Sequence, residues 1–229
     1  MKKIAYILTE FPDKFGVPRQ SGLIKESFGR IVFEKEYRND DSLRGLEEFS
    51  HIWVLWEFLK ENKDSWSPTV RPPLLGGNKR MGVFATRSPN RPNPIGLSVL
   101  KLERIEEYKD FGKTLLVSGC DMIDNTAILD IKPYLSYCDS IPDAKGGFTE
   151  NLKERSLVVD FPLELLKKVP KDKKNLVMEV LKSDPRPSYQ NDAKRVYGVL
   201  VKGLEIKFLV DDKNLTVLAV ENIEKSHKK

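Results

Sequence analysis

The residues best suited to chemistry lie in a stiff, cationic stretch, RSPNRPNPIG, at positions 87–96. Its three prolines fix the backbone and lack an amide donor, so neither a helix nor a central strand can pass through it. Each residue that precedes a proline is pushed towards extended geometry, which leaves a nearly rigid loop. We expect this loop to hold Arg87 and Arg91 in set directions. The alternative interpretation is a surface loop whose arginines pair with nearby carboxylates.

The distribution of charge around this loop suits an anionic ligand. Residues 65–102 contain no Asp or Glu, and they carry the cations Arg71, Lys79, Arg80, Arg87, Arg91 and Lys101. Residues 1–144 hold 21 basic and 21 acidic side chains, whereas residues 145–229 hold 18 and 13, so the net charge of +5 lies in the C-terminal third. Local cationic fields favour phosphate backbones or an anionic small molecule. A solvated face paired with acids from elsewhere is the alternative.

Several classes of site are missing from the sequence. It has no G-x-x-x-x-G-K-[ST], G-x-G-x-x-G or G-x-S-x-G motif, which disfavours a P-loop, a Rossmann dinucleotide site and a hydrolase nucleophile elbow. Two histidines and two cysteines give no metal-ligand spacing, so we expect no metal, and Cys120 and Cys138 should be buried or half-buried. We interpret His51, in FSHIW, as a structural hydrogen-bonding residue. A hydrolase that uses His51 with a nearby carboxylate remains an alternative.

The apolar segments predict a mainly β fold. Seven of them are short, rich in β-branched and aromatic residues, and bounded by turn residues: KIAYILT, GRIVFE, HIWVLWEF, MGVFAT, LSVLKLERI, TLLVSGC and AILDIKPYL. Close spacing without long helices predicts a β-barrel or sandwich, with one short helix in SLRGLEEF. No apolar run is long enough to span a bilayer and no secretory signal is evident, so we expect no membrane association and a cytoplasmic protein.

The character of the chain changes near residue 145. FPLELLKKV and KDKKNLVMEVLKS predict two helices, the second with Leu176, Val177, Val180 and Leu181 on one face. VYGVLV, LEIKFLV and LTVLAVE predict a meander in which Ile206, Phe208 and Val210 alternate, as do Leu215, Val217 and Ala219. We therefore divide the chain into a β domain, residues 1–145, and a small α+β domain, residues 146–229, which carries the basic excess.

Three further polar, proline- or aspartate-bearing stretches accompany the loop at 87–96. They are GVPRQSGL at 16–23, GCDMIDNTAILDIKPYL at 119–135 and SDPRPSYQ at 183–190. Long polar loops are either functional or disordered, and their proline content argues against disorder. Together these stretches predict a site assembled from rigid loops on a β scaffold.

Long segments of the chain resemble one family. PRQSGL, LRGLEEFSHIW, TVRPPLLGGNKRMGVFATRSPNRPNPIGLS and DNTAILDIKPYL are similar to the TsaA-like (TrmO-type) tRNA methyltransferases, and the similarity extends through DPRPSY into the final strands. The resemblance implies a TsaA-like β-barrel that binds S-adenosyl-L-methionine and a homodimer that acts on tRNA. The reaction it implies is methylation of the exocyclic amine of threonylcarbamoyladenosine at position 37.

The resemblance also implies a set of cofactor-binding residues: Pro18, Arg19, Gln20, Leu59, Lys60, Arg87, Leu97, Asn125, Thr126, Ala127 and Ile128. This chain departs from the family at two places. Leu59-Lys60 stands where the family often has His-Gln or His-Asn, and Asn125-Thr126-Ala127 stands for Gly-Thr-Pro. Asparagine tolerates left-handed backbone geometry, so the turn can survive the second change.

We expect the barrel to bind the cofactor and the C-terminal domain to help grip tRNA. In this hypothesis Arg87 faces the cofactor, and Arg91 and Arg186 are substrate-binding. Arg186, which lies between two prolines, is assigned to the carboxylate of the threonyl group, and no residue is assigned as the general base. A non-catalytic S-adenosylmethionine-binding, RNA-associated regulator on the same barrel is the alternative function.

Overall fold

The computed structural model describes residues 1–58, 66–72, 75–150, 156–186, 192–201 and 203–223. The strands in these ranges are β1 Ala5–Thr9, β2 Phe28–Phe33, β3 His51–Glu57, β4 Thr69–Val70, β5 Met81–Gly82, β6 Ile95–Tyr108, β7 Gly112–Ser118, β8 Thr126–Pro133, β9 Val158–Asp160, β10 Tyr197–Val201, β11 Leu204–Asp211 and β12 Asn214–Asn222. The α-helices are α1 Ser136–Asp139, α2 Leu163–Leu166 and α3 Lys174–Lys182. None of these helices is long and apolar enough to cross a bilayer.

Six strands close into an antiparallel barrel in the order β1-β2-β7-β6-β3-β8. Alternating side chains fill it, as β3 shows: Ile52, Val54 and Trp56 are buried, and the residues between them are half-buried. This is the pattern expected of strands with one face towards a core. The barrel predicted from the sequence is therefore confirmed, and a sandwich is not formed.

Three connecting segments of the barrel leave it at the same end, because neighbouring strands are antiparallel. The register pairs Thr9 with Gly29 and Glu57 with Ile95, so β1 and β3 end where β2 and β6 begin. Likewise Ser118, the last residue of β7, pairs with Phe28. The described residues of the connecting segments 10–27, 58–94 and 119–125, our first, second and third loops, therefore begin and end together, and we call this end of the barrel the loop end.

The C-terminal part is a four-stranded sheet, in the order β10-β11-β12-β9, with α3 packed on it. The helix buries Leu176, Val177, Val180 and Leu181, as its spacing predicted. Sheet and helices confirm the predicted α+β region. β9, which was not predicted, adds a parallel strand beside β12.

Two local expectations were wrong. In β12 the partner register skips Leu218, and this bulge turns Val220 rather than Ala219 towards the core. The segment SLRGLEEF forms two 3₁₀ turns, Asp40–Leu43 and Leu46–Glu48, instead of one helix. Gly45 lies between them with φ +83°, a left-handed conformation that interrupts any continuous helix.

MGVFAT forms less strand than expected. Only Met81 and Gly82 belong to β5, which pairs with β4, and Val83–Ala85 form a 3₁₀ turn. The segment lies inside the long loop between β3 and β6, and the closed barrel offers it no free strand edge.

The first long loop crosses from the barrel into the C-terminal part. Phe11 and Ile24, at either end of this loop, are buried in the same hydrophobic cluster as α3 and the four-stranded sheet. Gly16 approaches β10 so closely that an added Cβ would lie 2.4 Å from Val199 Cγ2. The two parts of the chain thus share a core through residues that are distant in sequence.

Candidate functional site at the loop end of the barrel

The loop end brings together three of the four stretches singled out in the sequence. The Gly22 amide donates to the Gly119 carbonyl at 2.9 Å, and the Val99 amide donates to Ser21 Oγ at 3.3 Å. These bonds hold the first loop against the third loop and against the beginning of β6. The site is therefore built on rigid barrel strands rather than on one flexible segment.

Arg87 and Gln20 connect the second loop to the first. Arg87 is exposed, and its Nη1 donates to the Oε1 atom of Gln20. Pro18 is buried beside them, while Arg19 is exposed. Four residues assigned from the resemblance thus lie in one surface region, where two guanidinium groups accompany an amide side chain.

The proline-rich loop is stiffened by Arg91 as well as by its prolines. Arg91 Nη1 donates to the carbonyls of Thr86 and Ser88, at 3.1 and 3.3 Å, and its amide donates to the Pro89 carbonyl at 2.8 Å. Two of the hydrogen bonds that the guanidinium donates are therefore made within the loop itself. Arg91 fixes the segment that presents Arg87, and its half-buried side chain leaves the other donors for a ligand.

The remaining assigned residues follow the rim of the barrel. Leu97, on β6, is an apolar side chain left 50% exposed at the rim. Asn125 adopts φ +62°, so the left-handed turn expected there is present without glycine. The Thr126 hydroxyl donates to the Ile123 carbonyl at 2.6 Å, which pins the turn. Ala127 is half-buried, and Ile128 lies inside the barrel with only its backbone near the rim. Leu59 and Lys60 lie outside the described residues.

The fourth stretch reaches the loop end from the C-terminal part. Arg19 Nη2 donates to the Asp184 carbonyl at 3.2 Å. A cavity of about 160 Å³ at this junction is lined by residues 14, 16–19 and 23–24 of the first loop and by residues 183–185. Two of the sequence stretches, PRQSGL and DPRPSY, therefore meet in space.

Arg186 is buried at the same junction and is already paired. Its Nε and Nη2 atoms donate to the two carboxylate oxygens of Asp184 at 2.8 and 2.9 Å. Within the described part of the chain, its Nη1 atom and the Tyr197 hydroxyl are buried and have no hydrogen-bond partner, although the two residues are close enough for Tyr197 to help raise the pKa of Arg186. Buried polar groups are nearly always hydrogen-bonded, so two unpartnered donors side by side mark a place where a ligand can bind.

Comparison with known proteins identifies the family. The family model described as the tRNA-methyltransferase O N-terminal domain matches residues 6–140, and the TrmO C-terminal domain matches residues 154–223. The chain belongs to the TrmO family.

Individual relatives of the TrmO family cover almost the whole chain. The tRNA (adenine(37)-N6)-methyltransferase of Escherichia coli strain K12 is 39% identical over 228 residues, 96% of this chain and 97% of that protein. A protein of the same name from Eikenella corrodens is 43% identical over 77% of this chain and 99% of its own length. The crystal structure of TrmO from Pseudomonas aeruginosa aligns with a TM-score of 0.74 at 30% identity, covering 96% of this chain and 97% of that one.

One carboxylate of the TrmO loop end received no role from the sequence. Asp121, in the third loop, accepts a hydrogen bond from Ser98 Oγ at 2.7 Å, and Ser98 Oγ accepts one from Trp56 Nε1 at 2.9 Å. Burial raises the pKa of Asp121 to about 6, against the opposing effects of the Ser98 hydroxyl, the backbone amides and the positive charge of Arg87. Asp121 lies in the aspartate-bearing stretch at 119–135, and only the fold distinguishes it from the other aspartates there.

Other reactive side chains are less suited to the site. His51 begins β3, at the opposite end of the barrel, and its Nδ1 is hydrogen-bonded with Ser50 Oγ at 2.9 Å. Cys120 is buried, and burial raises the pKa of its thiol, so it is a poor nucleophile; Cys138 is exposed on α1, contrary to expectation. Among the described residues, no three His, Cys, Asp or Glu side chains are placed to hold a metal ion.

Proposed function

We propose that this protein transfers a methyl group from S-adenosyl-L-methionine to the exocyclic N6 of adenosine 37 in tRNA, and that its substrate is the threonylcarbamoylated adenosine. The observation that carries the proposal is the convergence of three barrel loops and one C-terminal loop at the loop end. The relatives bearing the name tRNA (adenine(37)-N6)-methyltransferase support the assignment of the reaction.

The residues at the loop end fit the chemical groups of the cofactor. The exposed Arg87 guanidinium and its neighbour Arg19 can bind a carboxylate, for which a planar fork of N–H donors is well matched. The exposed Leu97 offers an apolar surface for an adenine ring, and the backbone of residues 125–128 can supply polar groups at the rim. When bound, the cofactor supplies an electrophilic methyl group on a sulfonium.

The chain's own contribution to the reaction is positioning. Arg91 and the prolines fix the loop that carries Arg87, and hydrogen bonds from Val99 and Gly22 hold the first loop in place. Because the loops are ordered before the ligand arrives, little entropy is lost on binding. Orientation of two reactants in this way can account for much of the acceleration of a methyl transfer.

An aromatic pair on the second loop supports an interaction with RNA. Trp66 and Phe84 stack with ring centroids 6.4 Å apart, and they are 49% and 74% exposed. They belong to the segment that has six cations and no carboxylate. Single-stranded RNA is commonly bound by stacking of unpaired bases on aromatic rings, with cations near the phosphates. We propose that this pair stacks a base of the anticodon loop.

The unpartnered donors at the junction support a role in recognising the modification. In the proposal Arg186 Nη1, assisted by the Tyr197 hydroxyl, binds the carboxylate of the threonyl group. The Asp184 pairing holds the guanidinium in a fixed plane, so a single donor is directed at the substrate. Homodimer formation and a cytoplasmic location, where tRNA is found, complete the proposal.

The test uses full-length protein, the cofactor and three tRNAs that carry threonylcarbamoyladenosine, plain adenosine or guanosine at position 37. Mass spectrometry of the nucleosides should show one added methyl group on the first, little on the second and none on the third. A protein that binds S-adenosylmethionine but methylates none of them would favour the regulator. The molar mass in solution tests the homodimer.

A further inference from the structure

Asp121 is placed to take part in the reaction rather than only in the fold. It lies in the third loop, between the first loop and the beginning of β6, within the electrostatic influence of Arg87. One carboxylate oxygen accepts from Ser98, and the Ser21 backbone amide provides a further hydrogen bond. The residues that interact with Asp121, namely Ser98, Ser21 and Arg87, thus all belong to elements that form the loop end.

The proposed reaction requires a group that can accept a proton. When the lone pair of N6 forms the new nitrogen–carbon bond, the carbon–sulfur bond breaks and its electrons remain on sulfur as a thioether. The nitrogen then carries one substituent too many unless its N–H proton leaves. In a threonylcarbamoyl adenosine this N–H is urea-like and more acidic than that of a plain amine, so a carboxylate is a strong enough base.

We propose that Asp121 accepts the N6–H proton of the substrate adenosine. This inference rests on the proposed function. Its geometry supports it, since Asp121 is half-buried and held in one orientation by Ser98, which is itself held by Trp56. A carboxyl that titrates near neutral pH is ionised at the working pH and still able to accept a proton.

Other carboxylates near the loop end have structural contacts. Asp124 accepts from the Thr9 amide at 2.8 Å and from Asn125 Nδ2 at 2.9 Å, which fixes the turn between β7 and β8. Asp13 accepts from the Phe15 amide at 2.7 Å. Glu10, at the end of β1, is also half-buried, and it provides a comparison variant.

The first experiment compares Asp121→Asn with the wild type on threonylcarbamoylated tRNA, using full-length protein. We expect kcat to fall by about 100-fold or more, the usual contribution of a general base, while calorimetry shows an unchanged Kd for S-adenosylmethionine. Asp121→Glu should recover part of the activity, and Glu10→Gln should behave like the wild type. An unchanged kcat, or a loss confined to cofactor affinity, would overturn the proposal.

The pH profile separates a base from a structural carboxylate. Only ionised Asp121 can accept a proton, so kcat should fall as the pH is lowered through the pKa of Asp121, which is about 6. Ser98→Ala removes a hydrogen bond to the ionised form, which raises the pKa of Asp121, so the acidic limb should move to higher pH. Ser118→Ala is the matched control, because Ser118 makes the same kind of hydrogen bond, at 2.6 Å, to Glu103 rather than to Asp121.

The outcomes distinguish this inference from the proposed function. If Ser98→Ala is active and the acidic limb of its kcat profile lies at the same pH as in the wild type, Asp121 is not the base. The methyltransferase assignment is then unaffected. A wild-type protein that methylates no tRNA contradicts both. Carbon-13 NMR gives an independent readout, because the carboxyl signal of Asp121 is the one that is lost in Asp121→Asn. In the ligand-free wild type this signal should titrate near the pH at which kcat falls.

Discussion

Arg19 donates through Nη2 to the Asp184 carbonyl at 3.2 Å, and this bond joins the first loop of the barrel to the C-terminal part of the chain. The same loop buries Phe11 and Ile24 in the C-terminal core. A segment assigned to the cofactor is thus held by the part of the chain that carries the basic excess. We therefore expect the proposed binding of RNA to the C-terminal part to affect the proposed binding of the cofactor at the loop end.

Gly16→Ala tests this junction. Gly16 has φ +88°, and an added Cβ would lie 2.4 Å from Val199 Cγ2, so the substitution strains the backbone and overpacks the contact with β10. We expect a loss of stability of about 1 to 3 kcal/mol from overpacking, with weaker binding of both cofactor and tRNA. Gly45→Ala is the control, since φ is +83° there but the space is open. Equal effects of the two variants on ligand binding would show that the junction does not support the site.

Arg87→Ala tests the proposed cofactor site. The guanidinium is exposed and its contact is with Gln20, so folding should be little affected. We expect S-adenosylmethionine to bind about 1.5 to 3 kcal/mol more weakly, the value of a charged hydrogen bond, as measured by calorimetry. Arg44→Ala, which removes an exposed arginine paired with Asp41 far from the loop end, should not change the affinity. Unchanged binding in Arg87→Ala would remove this residue from the site.

Substitution of the aromatic pair tests the RNA surface. Trp66→Ala and Phe84→Ala should each weaken tRNA binding, by about 1 to 3 kcal/mol where a base stacks on the ring, and leave cofactor affinity unchanged. Tyr137→Ala provides the control, because Tyr137 is also an exposed aromatic residue but lies on α1, after the opposite end of β8. If the variants instead change the molar mass of the protein in solution without changing tRNA affinity, the pair is a subunit contact.

The sequence predicts the elements of this fold well where side chains alternate strictly. HIWVLWE and LEIKFLV became strands with the expected buried faces, and KNLVMEVLK became a helix with the expected buried residues. Short segments with weak periodicity were predicted less well. In SLRGLEEF, the apolar spacing favours one helix, but a single glycine in the left-handed region interrupts it. The bulge at Leu218 in β12 has no recognisable pattern in the sequence.

The sequence predicted only part of the candidate site. The resemblance supplied a set of cofactor residues, and the structure places the described ones along the loop end. Asp121 had no distinguishing feature in the sequence, because its burial and its hydrogen bonds with Ser98 and Ser21 arise only when the barrel closes. The contact of the first loop with residues 183–185 likewise depends on tertiary packing over a separation of 165 residues between Arg19 and Asp184.

Recognition of the threonylcarbamoyl group requires a variant that leaves the fold intact. Arg186→Ala is unsuitable, because it leaves the Asp184 carboxylate buried and unpaired, and breaking a buried ion pair in this way costs about 3 to 5 kcal/mol. Arg186→Lys keeps a positive charge beside Asp184 but removes the planar guanidinium and its Nη1 donor. Arg195→Lys is the matched control, since both arginines lie over the Tyr197 ring, at 5.8 and 5.6 Å from its centroid.

The wild type should methylate threonylcarbamoylated tRNA much faster than tRNA with plain adenosine at position 37, because plain adenosine leaves the buried Arg186 Nη1 and Tyr197 hydroxyl without partners. Loss of a charged hydrogen bond costs about 1.5 to 3 kcal/mol, so Arg186→Lys should reduce the ratio of the two rates by about 10- to 100-fold. Arg195→Lys should keep the wild-type ratio, and thermal unfolding should show both variants folded. A ratio that is the same in Arg186→Lys and the wild type would mean that the threonyl carboxylate is bound elsewhere.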